Sequence, residues 1–133
     1  MNEAVFNKLN WVVFVVLLGL ITLQAGCKKE EKDTLNGTVW KYTEDEDGFS
    51  GEETVLFQES TFTVTITIVS EYYNANIHET GTYVYNHPNI TLHITTVTTG
   101  DKSVEGSAIT GAISGNKMTL YADDGTPTVF TKQ

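Results

Sequence analysis

Between residues 61 and 68 the chain alternates without a break, with Phe62, Val64, Ile66 and Ile68 at the even positions and threonine at every odd one. Only an extended strand keeps a period of two on one face, because a helix would scatter the same apolar residues around its circumference. Residues 89–97 repeat the pattern, with Ile90, Leu92 and Ile94 on one side and Thr91, His93 and Thr95 on the other. Shorter runs of the same kind occupy residues 37–43, 53–58, 80–86, 105–114, 117–123 and 126–131, which gives about eight strands. The connections are short: Gln58-Glu59-Ser60, Asn86-His87-Pro88, Ser114-Gly115-Asn116 and Asp124-Gly125. Strands joined this tightly pair antiparallel with their neighbours in the chain. The expected fold is therefore all-β, an antiparallel up-and-down meander that closes into a small barrel and so removes its exposed edges.

Ahead of this region the sequence changes character. Residues 11–23 (WVVFVVLLGLITL) are almost wholly apolar, yet the run is shorter than the roughly 20 residues of a membrane-spanning helix. It has the length of the apolar region of an export signal, and a signal helix is expected there. Leu23-Gln24-Ala25-Gly26-Cys27 resembles the lipobox of bacterial lipoproteins, in which small residues precede a cysteine that is acylated and becomes the new N-terminus. The resemblance implies a signal peptide over residues 1–26, palmitate or a similar acyl group on Cys27, and a membrane partner reached through that anchor. Acyl chains contribute about 0.8 kcal/mol per buried methylene, so a multiply acylated cysteine holds a protein on a membrane without a spanning helix. Residues 27–35 carry KKEEKD and read as a polar tether to a β domain over 36–133. Lys28 follows the cysteine, which is similar to lipoproteins released to the outer membrane, so the cell envelope is the expected location.

Charge narrows the partners. Seventeen acidic residues stand against eight basic ones, and every base is a lysine. Nucleic acid is excluded as an expected partner, because phosphate neutralisation needs clustered Lys and Arg. The one cysteine, Cys27, leaves no internal disulfide and no thiolate metal site, so packing must hold the fold.

Leu35-Asn36-Gly37-Thr38-Val39-Trp40-Lys41-Tyr42, the central Gly81-Thr82-Tyr83, and residues 115–120 (GNKMTL) ahead of Phe130 resemble small lipocalin-like bacterial lipoproteins. Trp40 stands one residue later than in the Gly-x-Trp of that family's first strand. The resemblance implies a barrel with affinity for small apolar molecules. Residues expected to face such a ligand are Trp40 and Tyr42 on the first strand, Phe57 on the second, and Phe62, Val64 and Ile66 on the third. Tyr83, Tyr85, Leu92 and Phe130 complete the set. The same side chains could fill the barrel instead, giving a structural or protein-interaction lipoprotein without a ligand. Ser107 and Gly111, beside Ile109 and Ile113, would leave local room inside.

Other chemistry is weaker. Residues 43–53 (TEDEDGFSGEE) gather six carboxylates around two glycines, but a calcium-loop register places Thr43 and Thr54 where acids are required. A flexible, solvated hairpin loop is expected. His78, His87 and His93 match no zinc spacing and are expected at the surface. No nucleophile elbow, zinc-protease helix or phosphate loop occurs, so neither an enzyme nor a cofactor is expected. The threonines at 61, 63, 65 and 67 are ordinary outward strand residues.

Overall fold

A computed structural model describes residues 34–133. The segment expected to be a signal peptide, residues 1–26, together with Cys27 and the expected tether up to residue 33, lies outside the described residues. Eight strands form one closed barrel in chain order. They are β1 (Val39–Glu46), β2 (Phe49–Phe57), β3 (Thr61–Ser70), β4 (Asn74–Asn86), β5 (Asn89–Thr99), β6 (Ala108–Ser114), β7 (Lys117–Tyr121) and β8 (Pro127–Lys132). Each strand pairs antiparallel with the next, and β1 meets β8 through Trp40↔Lys132 and Lys41↔Thr131. The meander read from the alternation is the fold.

Three boundaries differ from the sequence reading by several residues, two of them where ladder pairing overrides local composition. Residues 43–53 are not a long loop: β1 and β2 run through the acidic segment and turn at Asp47-Gly48 alone. Gly48 supplies the positive φ of 81° that this tight reversal needs. Backbone pairing from Glu44↔Gly51 to Glu46↔Phe49 outweighs the poor strand preference of carboxylates, and Lys41 bridges Glu52 at 3.0 Å. β4 starts at Asn74 rather than near residue 80, because the long β3 offers ladder positions back to Val69↔Asn74. Residues 105–107 lie outside β6: a short 3₁₀ turn, Lys102–Val104, precedes that strand.

The inward parity of the strands builds a core at one end of the barrel. There the chain enters, and the β2–β3, β4–β5 and β6–β7 turns cluster with the end of β8. Phe57, Phe62, Ile90 and Met118 are fully buried, as are Trp40 and Phe130. Each contributes about 1.5–3 kcal/mol through removal of apolar surface from water. Leu35 is also buried and caps this end. Thr38 hydrogen-bonds on two sides: its hydroxyl donates to the Leu35 carbonyl at 2.6 Å and accepts from the Trp40 indole N–H at 2.9 Å. Gly37 lies in the turn ahead of β1 and donates its N–H to the Phe57 carbonyl at 2.8 Å. Lys132 sits 6.0 Å over the Trp40 ring, so a cation covers the tryptophan from the last strand.

Gly81 permits the wall to bend. A Cβ at this inward position would collide with the His93 carbonyl oxygen on β5 and reach within 2.8 Å of the Phe62 ring. The β4–β5 register shifts twice just ahead of it, between His78 and Glu79 and between Thr80 and Gly81. Such irregularities increase curvature and help a sheet close.

The outer face is mainly polar: Thr61, Thr65, Thr91, His93 and Thr95 alternate with buried or half-buried inward neighbours, while Leu56, Val69, Val84 and Val129 are scattered apolar exceptions. A membrane-spanning barrel has the opposite arrangement, with apolar residues facing lipid. Among the described residues no helix is long and apolar enough to cross a membrane.

Candidate functional site

The other end of the barrel is open. Its rim comprises the β1–β2, β3–β4 and β7–β8 turns together with the segment between β5 and β6. Inside lies a cavity of about 490 Å³. One side is the β6–β8 wall, where Ile109, Leu120 and Phe130 face the space. On the other side Glu53 from β2 and Glu79 from β4 point inward, with Ile94 beside them on β5.

Residues 101–107 are tied to the barrel by a set of hydrogen bonds. The Asp101 carboxylate accepts from the Ser103 N–H at 2.9 Å and caps the 3₁₀ turn, while the Ser107 hydroxyl donates to the Val104 carbonyl at 2.6 Å. The segment pairs with β5 by two backbone bonds, Gly106 N–H to Ile94 carbonyl at 2.8 Å and Ile94 N–H to Ser107 carbonyl at 3.0 Å. Glu105 accepts from the Val97 N–H at 2.9 Å, satisfying β5 where its ladder is irregular. These bonds hold Ser103, Val104 and Ser107 against the cavity.

Glu53 and Glu79 have the site's most perturbed chemistry. Burial raises the Glu53 carboxyl, and the nearby Glu79 charge raises it further, to about 7. Burial also raises Glu79. Neither side chain makes a hydrogen bond or ion pair among the described residues. The space beyond them is mixed in character: hydroxyls of Ser103, Ser107 and Thr128 and the Asp123 carboxylate interrupt the apolar lining. Such a mixture of apolar walls and a few convergent polar groups suits a small molecule.

The rim is predominantly acidic, with Lys102 as its one described lysine. Asp45, Glu46 and Asp47 lie at or beside the first turn, Glu71 in the second, Asp101 in the third segment, and Asp123 with Asp124 in the last. At the sealed end, Glu59 is the turn acid, and Lys117 and Lys132 lie there.

Of the ten side chains expected to face a ligand, Phe130 lines this cavity. Trp40, Phe57, Phe62, Val64 and Leu92 are buried in the core, and Tyr42, Ile66, Tyr83 and Tyr85 pack against it. Tyr83 stands edge-on to Phe57 at 4.9 Å and donates its hydroxyl to the Gln58 carbonyl at 2.7 Å. Ser107 does border open space, as expected, whereas a Cβ at Gly111 would meet the Leu120 side chain at 2.8 Å. His87 and His93 are exposed. His78 is half-buried, with its Nδ1 3.4 Å from the Thr65 hydroxyl. Among the described residues no group of three His, Cys, Asp or Glu could hold a metal ion.

The two inward glutamates escaped the sequence reading although a signal for them existed. Glu53 shares the parity of Val55 and Phe57, and Glu79 that of Gly81, Tyr83 and Tyr85. An acid on the apolar phase of an otherwise inward-facing run marks a charge turned toward the interior.

Comparison with protein-family models, curated proteins and solved structures gives no match.

Proposed function

We propose that this chain is a lipid-anchored bacterial envelope lipoprotein, acylated at Cys27 and held at the outer membrane, whose lipocalin-like barrel binds a small ligand. The observation that carries the binding reading is the 490 Å³ cavity at the open end, walled by Ile109, Leu120 and Phe130. Its size falls within the roughly 300–1,000 Å³ typical of small-molecule sites. The lipobox resemblance supports the anchor, and the geometry is compatible with it: the domain begins at Thr34, at the sealed end, leaving the rim at the opposite end of the barrel. Residues 34–133 contain the core, all eight barrel strands and the β1–β8 closure, so the barrel carries its own fold. We read the protein as a binder rather than a catalyst.

Two measurements test this reading. Metabolic labelling with a palmitate analogue should mark the wild-type chain and not Cys27→Ser; an unlabelled wild type removes the anchor. A neutral apolar fluorophore should brighten with the 34–133 domain and lose that signal in Leu120→Trp, which fills the cavity. Brightening that survives the filling variant, or none at all, would overturn the ligand reading.

A second reading, an interaction lipoprotein without a ligand, draws support from the β3–β4 tip. Tyr72 is 90% exposed and Tyr73 63% exposed there, and exposed tyrosines suit protein contacts.

A further inference from the structure

We propose that the cavity's ligand is an organic amine, its ammonium group held by the Glu53 and Glu79 carboxylates and its apolar body laid against Ile109, Leu120 and Phe130. This rests on the reading of the cavity as a ligand site and specifies which chemical class enters it.

The placement of charge inside the cavity ranks each alternative below an amine. An anionic ligand such as a fatty acid would meet two inward carboxyls after passing a rim with acids on all four of its segments. A neutral apolar ligand can enter the cavity but binds less tightly, because it takes water from carboxyls that have no protein partner and offers them none in return. Calcium takes about six to eight oxygen ligands, whereas much of this lining is hydrocarbon and no cluster of three metal-binding side chains exists among the described residues. An amine answers both halves of the site. Its charge joins the β2–β4 wall, and its hydrocarbon covers the β6–β8 wall. Of the four lysines among the described residues, three are engaged elsewhere: Lys41 bridges Glu52, Lys117 donates to the Thr131 hydroxyl, and Lys132 lies over Trp40. Lys102 is the lysine on the rim.

Proton occupancy supports the same assignment. The groups facing Glu53 are Tyr42, its register partner on β1, Glu79 on β4, and Asp123 beyond β7. β3 presents Val64 and Ile66, and β6 and β8 present Ile109 and Thr128, none of which titrates. With Glu53 raised to about 7 by burial and by Glu79, the empty site takes up a proton below about pH 7, and a bound ammonium would have to replace it. Amine affinity should therefore fall as the solution is acidified.

The test is calorimetric titration of the 34–133 domain with three probes of matched chain length: octylamine, octanol and octanoate. At about pH 8, octylamine should bind at least ten-fold more tightly than octanol, the scale of one charge-assisted hydrogen bond, with octanoate weakest. Glu53→Gln combined with Glu79→Gln should abolish that preference while octanol binding persists. Lowering the solution to about pH 5 should weaken octylamine about ten-fold or more and leave octanol unchanged. Equal or tighter octanol binding overturns the amine assignment and leaves the cavity reading standing. Octylamine binding that ignores both Gln substitutions would place the amine on the acidic rim and also overturns it. Binding of none of the three probes removes the cavity reading itself.

Discussion

The two ends of this barrel are built from the same eight strands, and they spend their inward positions differently. At the sealed end the inward residues are large and apolar, and Leu35 closes the last gap. Toward the open end the same parity carries Glu53 and Glu79, and the space between the walls is unfilled. The sealed end provides stability, while the open end carries strained electrostatics and room. A small barrel has one core's worth of apolar side chains, and concentrating them at one end leaves the other free to bind.

The largest effect that would break this contrast is a core truncation. Phe57 is fully buried and stacks edge-on with Tyr83, so Phe57→Ala should cost about 3–5 kcal/mol. Ile109 is only partly buried and faces the cavity, so Ile109→Ala removes fewer contacts and should cost about 1 kcal/mol. Urea unfolding of both variants with unchanged m-values measures the difference. Equal losses would mean that the open end is as tightly packed as the sealed one.

A smaller effect, of opposite sign, belongs to Glu53. Its carboxyl is raised from 4.5 to about 7 in the folded protein, so between those values the folded state keeps a proton that the unfolded chain has released. Stability therefore falls as pH climbs through this window and levels off above it. Glu53→Gln should stabilise the domain at about pH 8 by on the order of 2 kcal/mol, the solvent reaching the carboxyl reducing the full linkage value, and should flatten the slope. Glu79, also raised by burial, leaves a residual slope of the same sign. Asp101 and Asp124, lowered by hydrogen bonds from Ser103 and Thr126, act in a more acidic range. Thermal melts from about pH 4 to 9 would measure it; a wild type that gains stability with rising pH across the window would show that Glu53 is paired rather than strained.

The sequence revealed the sealed end more fully than the open one. Runs such as residues 61–68 state their inward face directly, and short turns dictate the strand order, so the meander and its aromatic core follow from local pattern. In residues 43–53 the carboxylates are mostly exposed, as expected, but they misled as a sign of irregular loop, because a two-residue turn at Asp47-Gly48 leaves β1 and β2 paired up to it. The cavity depends on relations no local pattern holds. Leu120 occupies the space beside Gly111, and residues 101–107 fold along β5 through backbone bonds that leave no periodic trace. The ten apolar residues read as ligand-facing share one inward parity, but parity does not tell depth along the barrel, and depth separates Phe62 in the core from Glu53 in the cavity.

The smallest of these effects examines how the sealed end is closed. The Thr38 hydroxyl is the acceptor for the indole N–H of Trp40, a residue only 1% exposed, and it also donates to the Leu35 carbonyl. Thr38→Val keeps the shape and removes both bonds, leaving a buried donor unmet at a cost of about 1–2 kcal/mol. Trp40→Phe removes the donor at the expense of ring volume. In the double variant the loss should be smaller than the sum of the two single losses by about 1 kcal/mol, because the unmet indole N–H no longer exists. Strict additivity would mean that the indole finds another partner and that Thr38 matters only through Leu35. A coupling of the expected size would place this small relay, from indole to hydroxyl to carbonyl, among the contacts that keep one end of the barrel shut while the other stays open.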